Sequence, residues 1–532
     1  MRQIISLLLV LTIVFTMLGG CAKKENNENV VKIPEDTETG TLDEAKWEHA
    51  VTIQLDDEKI LVDGQLVSAN VAAAVYIAND IVYYEEGKDF TYGEGTEVDA
   101  HSQEEAAAHT VVHITQPGQY VLSGTLSAGQ IAVDLGEDAE EDPNAVVTLI
   151  LNGLDITCTV APAVIFYNVY ECGEKDNPVK DVDTSAAGAN VIITDGSNNM
   201  VNGSYVARIY KPDSVELSED GTEVADAKKL HKYDAAFYSK MSMNINGEEQ
   251  GSGILKIKAE NEGLDSELHL TINSGNISIE SGNDGINTNE DGVSVTTING
   301  GHVIITVTGE TGEGDGIDSN GWLVINGGKV VAAACANSAD SGIDSDMGIH
   351  INGGTVIATG HMLDRIEDGS QTYVVVNFTE RQSGDKIISL RDESDEELIA
   401  LWPINDYSIL IYSSPELEAG DYTLWSDETQ LSGFVGEHRG IGGFGAGMHP
   451  GGMMPDGQEP PSNMERPDGM RPPERLEFPE NITPPENMTP PQEMDRPRGG
   501  KVSGDNPEMA GNLETTSEFT ITEGGNYITI WG

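Results

Sequence analysis

Basic residues are scarce: 29 Lys and Arg stand against 90 Asp and Glu, a formal net charge of −61 over 532 residues. That deficit argues against nucleic acid and anionic membrane surfaces as partners, because both are held by cationic side chains. Cysteine is rarer still, with four residues and no CxxC spacing, so no zinc site of that kind is encoded. Apart from Cys21, the odd set Cys158, Cys172 and Cys335 gives no disulfide framework; Cys158 and Cys172 are near enough in sequence to bridge a loop, and otherwise all three read as small buried hydrophobes. Aromatic residues make up only 6% of the chain. No Arg occurs between positions 234 and 361, where the only cationic side chains of Lys type are Lys240, Lys256, Lys258 and Lys329.

What the chain does contain is glycine, 60 residues of it, between short Val, Ile and Thr runs, the pattern of an all-β chain with many turns. The N-terminus follows another code. Arg2 precedes an apolar run over 4–17, too short for a comfortable membrane span, and Leu18-Gly19-Gly20-Cys21 resembles a bacterial lipobox. Residues 1–20 are therefore expected to be a lipoprotein signal peptide, with a diacylglycerol thioether on Cys21 and a polar tether over 21–45. The expected location is the bacterial cell membrane, lipid-anchored and facing outside. A plain signal peptide followed by an incidental cysteine is the competing reading.

One phrase organises the middle of the chain. It occurs as Gly263-Leu-Asp-Ser266, Gly285-Ile-Asn-Thr288, Gly316-Ile-Asp-Ser319 and Gly342-Ile-Asp-Ser345. A second keeps step with it at Asn246, Asn273, Asn299, Asn326 and Asn352, each followed within two residues by glycine, at intervals of 27, 26, 27 and 26 residues. A fixed period of this size means stacked units that cannot bury their apolar faces alone, hence a solenoid. Alternation predicts that Leu270, Ile272, Leu323, Ile325, Ile349 and Ile351 point inward, with His269, Thr271, Trp322, Val324 and His350 outward. The asparagines read as a stack of buried amides at the turns, each bonding the next unit.

Residues 46–361 are thus expected to form a parallel β-helix, with a polar insertion over 206–232. Residues 362–432 and 513–532 read as a small β cap of antiparallel strands, including 372–378, 386–390, 408–412 and 421–425. The Gly-, Pro- and Met-rich stretch 433–512 reads as a disordered loop.

Stacking gives the repeats their chemistry. Equivalent positions lie about 4.8 Å apart in a parallel stack, so Asp265, Asn287, Asp318 and Asp344 would form a line of oxygens. Glu262, Asp284 and Asp315, with Asp340 displaced by one residue, would form another. Carboxylates so close repel by roughly 1 kcal/mol even in water, and Ca2+ between them would turn that cost into binding. The same phrase also suits a turn in which Asp and Ser bond local amides.

The residues at this point resemble a known family. The stretches 118–134 (GQYVLSGTLSAGQIAVD), 149–157 (LILNGLDIT) and 234–240 (DAAFYSK), with the Gly-Ile-Asp-Ser repeats, are similar to bacterial carbohydrate-binding lipoproteins. That family folds as a right-handed parallel β-helix related in shape to pectate lyases. The resemblance implies calcium sites on the coils and binding of plant polysaccharides, including cellulose and acidic polygalacturonate. The 206–232 insertion, with Tyr238 and Asn287 in the Asp column, departs from it.

For neutral glucans the contact would be a sugar ring stacked on an aromatic plane, for which Trp322 is the leading candidate. Tyr238, His269 and His350 are further candidates, with Trp402 and Trp425 behind them. Two rival classes remain. A lyase needs a base for the sugar C5 proton, commonly Arg, which the repeats lack; a calcium-stabilised adhesin or scaffold would bind no sugar. Oligomeric state is not encoded in any feature of the sequence.

Overall fold

The computed structural model describes residues 46–435, apart from residue 176, and residues 515–530. The expected signal peptide, Cys21 and the tether lie outside the described residues, as does all but the first three residues of the 433–512 stretch. Those three continue the body: Phe434–Val435 is a strand pairing with Gly525–Ile530, and Phe434 is buried.

The described chain is all-β, with one α-helix of five residues, Gln103–Ala107. The sequence period appears as three columns of parallel strands visited in rotation. The first column stacks Ala189–Ile193, Met243–Gly247, His269–Ile272, Val295–Ile298, Trp322–Ile325 and Gly348–Ile351. The second stacks Asn198–Gly203, Ile254–Ala259, Asn276–Ser281, His302–Val307, Lys329–Ala333 and Thr355–Gly360. The third holds Gly129–Asp134, Val164–Asn168, Ala235–Ser239, Glu262–Ser266 and Ile286–Thr288, and is carried on by a single bridge from Ile286 to Ile317. Antiparallel pairs at both ends make the sheets mixed, as where Val51–Leu55 meets Leu61–Val62.

Alternation places the core as expected on one face. Leu270, Ile272, Leu323, Ile325, Ile349 and Ile351 are fully buried. Thr296 falls in the same inward line, between Leu270 and Leu323, and its hydroxyl is satisfied by Thr288 Oγ1 at 3.1 Å. The glycines of the repeated phrase answer to close approach. A Cβ on Gly263, Gly285 or Gly316 would lie 2.6, 2.6 or 2.3 Å from the carbonyl oxygen of the glycine one repeat on.

The outward face departs from expectation. His269, Thr271 and Val324 are buried. Their cover comes from outside the period: Gly173 packs on the His269 ring, and the Thr184 hydroxyl bonds both Thr271 Oγ1 and Asn244 Oδ1 at 2.7 Å. The asparagine column is a ladder, but an exposed one. Nδ2 of Asn273, Asn299, Asn326 and Asn352 donates to Oδ1 of the preceding member at 3.1, 2.8, 2.8 and 2.8 Å. Its members stand at the surface because the turn projects beyond the strands, with Gly301, Gly328 and Gly354 at φ of +84°, +82° and +82°. Cys158 and Cys172 are unbridged, and Cys172 is half-buried rather than part of the core.

Past the last repeat, Thr355–Gly360 pairs antiparallel with Tyr407–Ser413, which pairs in turn with Tyr373–Gln382. Tyr373–Gln382 is not purely antiparallel, since its other edge takes Gly525–Ile530 in parallel. A separate antiparallel sheet of Ile388–Asp392, Glu397–Leu401, Gly420–Ser426, Thr429–Gln430 and Phe519–Ile521 has its own apolar cluster, which also buries Val331 and Ile357 of the second column. The insertion forms a ribbon of Val206–Tyr210 against Lys229–Tyr233, with a smaller pair at its tip.

Burial and ladder bonding should separate in stability. Leu323→Ala removes a fully buried side chain and is expected to cost about 3 kcal/mol. Asn326→Ala removes two exposed amide bonds and should cost about 1 kcal/mol. Urea denaturation of the two variants measures this order, and equal midpoints would contradict it.

Candidate functional site

The repeated phrase lines one edge of the third column. Tyr238, Asp265 and Asn287 are successive Cα partners there. Backbone bonds continue the line where regular strand ends, from Asp318 N–H to the Ile286 carbonyl at 2.8 Å and from Asp344 N–H to the Ile317 carbonyl at 2.7 Å. A second acidic line runs beside it. Glu262 N–H donates to the Asp234 carbonyl at 3.1 Å, Gly263 N–H to that of Asp284 at 3.0 Å and Gly285 N–H to that of Asp315 at 3.0 Å.

Asp340 does not belong to this line. Gly316 N–H donates to the carbonyl of Ser341, so Ser341 holds the position that the one-residue displacement left open. The Asp340 carboxylate instead accepts from Gly314 N–H at 2.6 Å and from the Ser338 hydroxyl. The serines of the phrase are structural: Ser319 Oγ donates to the Trp322 carbonyl at 3.0 Å and Ser345 Oγ to that of Gly321 at 2.8 Å. Local bonding accounts for Ser and engages the aspartates as well: Asp284 Oδ1 accepts from Asp315 N–H at 2.7 Å, Asp315 Oδ1 from Ser341 N–H at 2.5 Å, and the Asp318 and Asp344 carboxylates from the Ser319 and Ser345 N–H groups.

The densest point is a trio. Asp234, Glu262 and Asp265, all buried, each offer a carboxylate oxygen, and the three oxygens lie within 4.8 Å of one another. At that spacing each charged pair repels by roughly 1 kcal/mol in water and about 3.5 kcal/mol at an effective dielectric constant of 20. Some compensation is built in. Lys232, from the end of the insertion, meets Asp234 Oδ2 at 2.6 Å, and Asn289 Nδ2 donates to both oxygens of Asp265 at 2.9 Å. Glu262 keeps one bond, from Asn287 Nδ2 at 3.2 Å, while Glu262 Oε2 and Asn287 Oδ1 are buried with no partner. Two orphaned buried oxygens beside carboxylates form a donor set that fits a hard cation such as Ca2+.

Electrostatics agree with the geometry. Burial, reinforced by Asp265 and Asp234, holds Glu262 far above the ordinary carboxylate range; burial with Asp234 and Glu267 does the same to Asp265. Burial also pushes Asp284, Asp318 and Asp344 up to about 7, and Asp315, with Asp344 and Asp284 adding repulsion, up to about 10. Burial pulls the Lys232 ammonium down, but Asp234, Glu262 and Asp265 together raise it above an ordinary lysine.

The aromatic candidates divide. Tyr238 is 1% exposed, packed edge-on against Tyr233 with its hydroxyl on Glu267, so no sugar reaches it. His269 is 3% exposed and held by burial at about 4; its Nδ1 accepts the Val295 N–H at 3.1 Å, a structural role. Trp322 and His350 are half-buried on the first column and remain available. Trp402 is exposed, and Trp425 is covered by the Arg391 guanidinium 4.5 Å from its ring.

Sequence reasoning missed Asp234, which stands 28 residues before Glu262 and one position out of register with it, since Ala235 is the Cα partner of Glu262. Ala236 replaces the glycine of the phrase there, and the offset hid the match. Lys232 carried no signal, because the insertion belongs to no repeat.

The raised carboxyls set a pH dependence. With calcium chelated, the folded protein binds more protons than the unfolded chain between the unfolded carboxyl value near about 4 and the folded values near about 7, so stability falls as pH rises through that window. The melting temperature in EGTA should drop between about pH 5 and about pH 8, and an Asp318→Asn/Asp344→Asn variant should flatten the slope. Equal slopes in the two proteins would refute this.

Comparison with known proteins adds the family. A curated carbohydrate-binding domain-containing protein of Acetivibrio thermocellus is 27% identical over 168 residues, covering 31% of this chain, and the matched region spans 44% of that relative's length. A solved structure of the polysaccharide lyase-like protein from C. thermocellum, in a gadolinium derivative, is 21% identical, with a TM-score of 0.33, and covers 60% of this chain and 98% of its own. The sequence model of one family matches residues 108–375, half of the chain, including the Gly-Ile-Asp-Ser repeats and both acidic lines, and the chain therefore belongs to the carbohydrate-binding domain-containing proteins.

Proposed function

We propose that this chain is a non-catalytic, calcium-dependent polysaccharide-binding protein, held at the outer face of a bacterial membrane through a lipid on Cys21. Its three columns then wind as a right-handed parallel β-helix, with Asp234, Glu262, Asp265, Asn287, Asp318 and Asp344 directed to Ca2+. The observation that carries the reading is the orphaned pair Glu262 Oε2 and Asn287 Oδ1, buried beside the carboxylates of Asp234 and Asp265. The favoured ligand is an acidic plant polymer such as polygalacturonate. A chain of net charge −61 repels a polyuronate unless a cation bridges their carboxylates, and bound calcium supplies that bridge.

A lyase reading is weaker on the same geometry. A lysine must be neutral before it can take a sugar C5 proton, and the cation beside the acidic trio, Lys232, is kept protonated by its ion pair with Asp234.

Affinity electrophoresis in polygalacturonate gels tests this. Wild-type protein should be retarded with calcium and run freely with EGTA, and Asp318→Asn/Asp344→Asn should lose retardation. Calcium at about a hundred times its dissociation constant should add about 2.7 kcal/mol of stability. Retardation unaffected by EGTA would sink the calcium bridge, unsaturated product would establish a lyase, and calcium stabilisation without glycan binding would favour a scaffold.

A further inference from the structure

A groove of about 480 Å³ lies on the first column, on a different sheet from the acidic lines. Its size falls within the roughly 300–1,000 Å³ usual for small-ligand sites. The floor is one outward line of the sheet, in which Asn244, Thr271, Thr297 and Val324 are successive Cα partners followed by His350. One side is the asparagine ladder and the other is the 180–185 loop, anchored where Thr184 bonds Asn244 and Thr271.

The chemistry of the groove is unlike the rest of the molecule. Its floor and ladder carry no charged side chain, in a protein of net charge −61. The charges present, on the loop, are the ion-paired Lys180 and Asp181 with Asp183, which leave a net negative wall unfit for a polyanion. The ladder leaves polar capacity outward. A side-chain amide has two N–H donors and two acceptor lone pairs, and each inner member, Asn273, Asn299 and Asn326, uses one of each in the ladder. One donor and one acceptor per repeat remain, exposed, recurring about every 4.8 Å along the stack. Trp322 shares this face, two residues from Val324 on the same strand, but does not line the groove.

We infer that this groove is a second binding site, taking a neutral, hydroxyl-rich glycan chain along the strand-stacking direction without calcium. Alternating amide donors and acceptors meet sugar hydroxyls, and Thr297 lies under the chain. The inference rests on the reading that the chain binds polysaccharide, but it uses none of the residues assigned to calcium.

The test is affinity electrophoresis of the full chain, with EGTA throughout, in gels of hydroxyethylcellulose, galactomannan or dextran, beside a polygalacturonate gel containing calcium. At least one neutral polymer should retard the wild-type protein. Thr297→Arg, which fills the floor, and Ser185→Trp, which closes the groove from the exposed loop, should each weaken that retardation about tenfold and leave the polygalacturonate gel unchanged. If Thr297→Arg lowers the melting temperature, Ser185→Trp decides. No retardation by any neutral polymer, or full retardation of a folded Ser185→Trp variant, overturns the groove. Loss of calcium-dependent polygalacturonate binding with neutral binding intact overturns the acidic-line reading instead.

Discussion

Parallel pairing in register places each residue of one repeat almost directly over its counterpart in the next, about 4.8 Å away, and the rest of the structure follows from what that contact does to each residue type. Apolar residues gain by it, as the buried line of Leu270, Leu323 and Ile349 shows. Glycine permits it where backbones meet closest, at Gly263, Gly285 and Gly316. Asparagine turns it into a ladder, since an amide both donates and accepts. Carboxylate is the one repeated type for which like over like is unfavourable.

That asymmetry separates scaffold from site. A line of Asp and Glu held in register by backbone bonds cannot relax apart, so its energy has to be lowered by protonation, by a cationic side chain or by a metal. The first two are visible in the chemistry: Asp315 is pushed up to about 10 where burial and its neighbours act together, and Lys232 reaches Asp234, while Glu262 Oε2 and Asn287 Oδ1 are buried with no partner. Lys229 extends the same device, meeting Glu267 at 3.0 Å three residues before Lys232. The insertion that interrupts the period thus brings two ammonium groups to the acidic edge.

The first column shows the opposite solution. The asparagine amides at its turns satisfy one another in register and still keep hydrogen-bonding capacity. One stacking rule therefore yields two chemically different lines, one of carboxylates and one of neutral amides. Trp322 and His350 stand half-buried on the first column, whereas Tyr238 and His269 are internal supports.

The sequence by itself determined the period, the strand faces, the amide ladder and most of the acidic column, because each is a property of residues spaced at a constant interval along one chain. Asp265, Asn287, Asp318 and Asp344 could be aligned by counting. Only the tertiary structure decided what covers those lines. Gly173 and Thr184 bury His269 and Thr271, Lys232 swings in from a ribbon, and a one-residue offset takes Asp340 out of line and puts Ser341 in its place. These contacts join repeating to non-repeating segments, whose partners share no interval in sequence, so only the path of the folded chain brings them together.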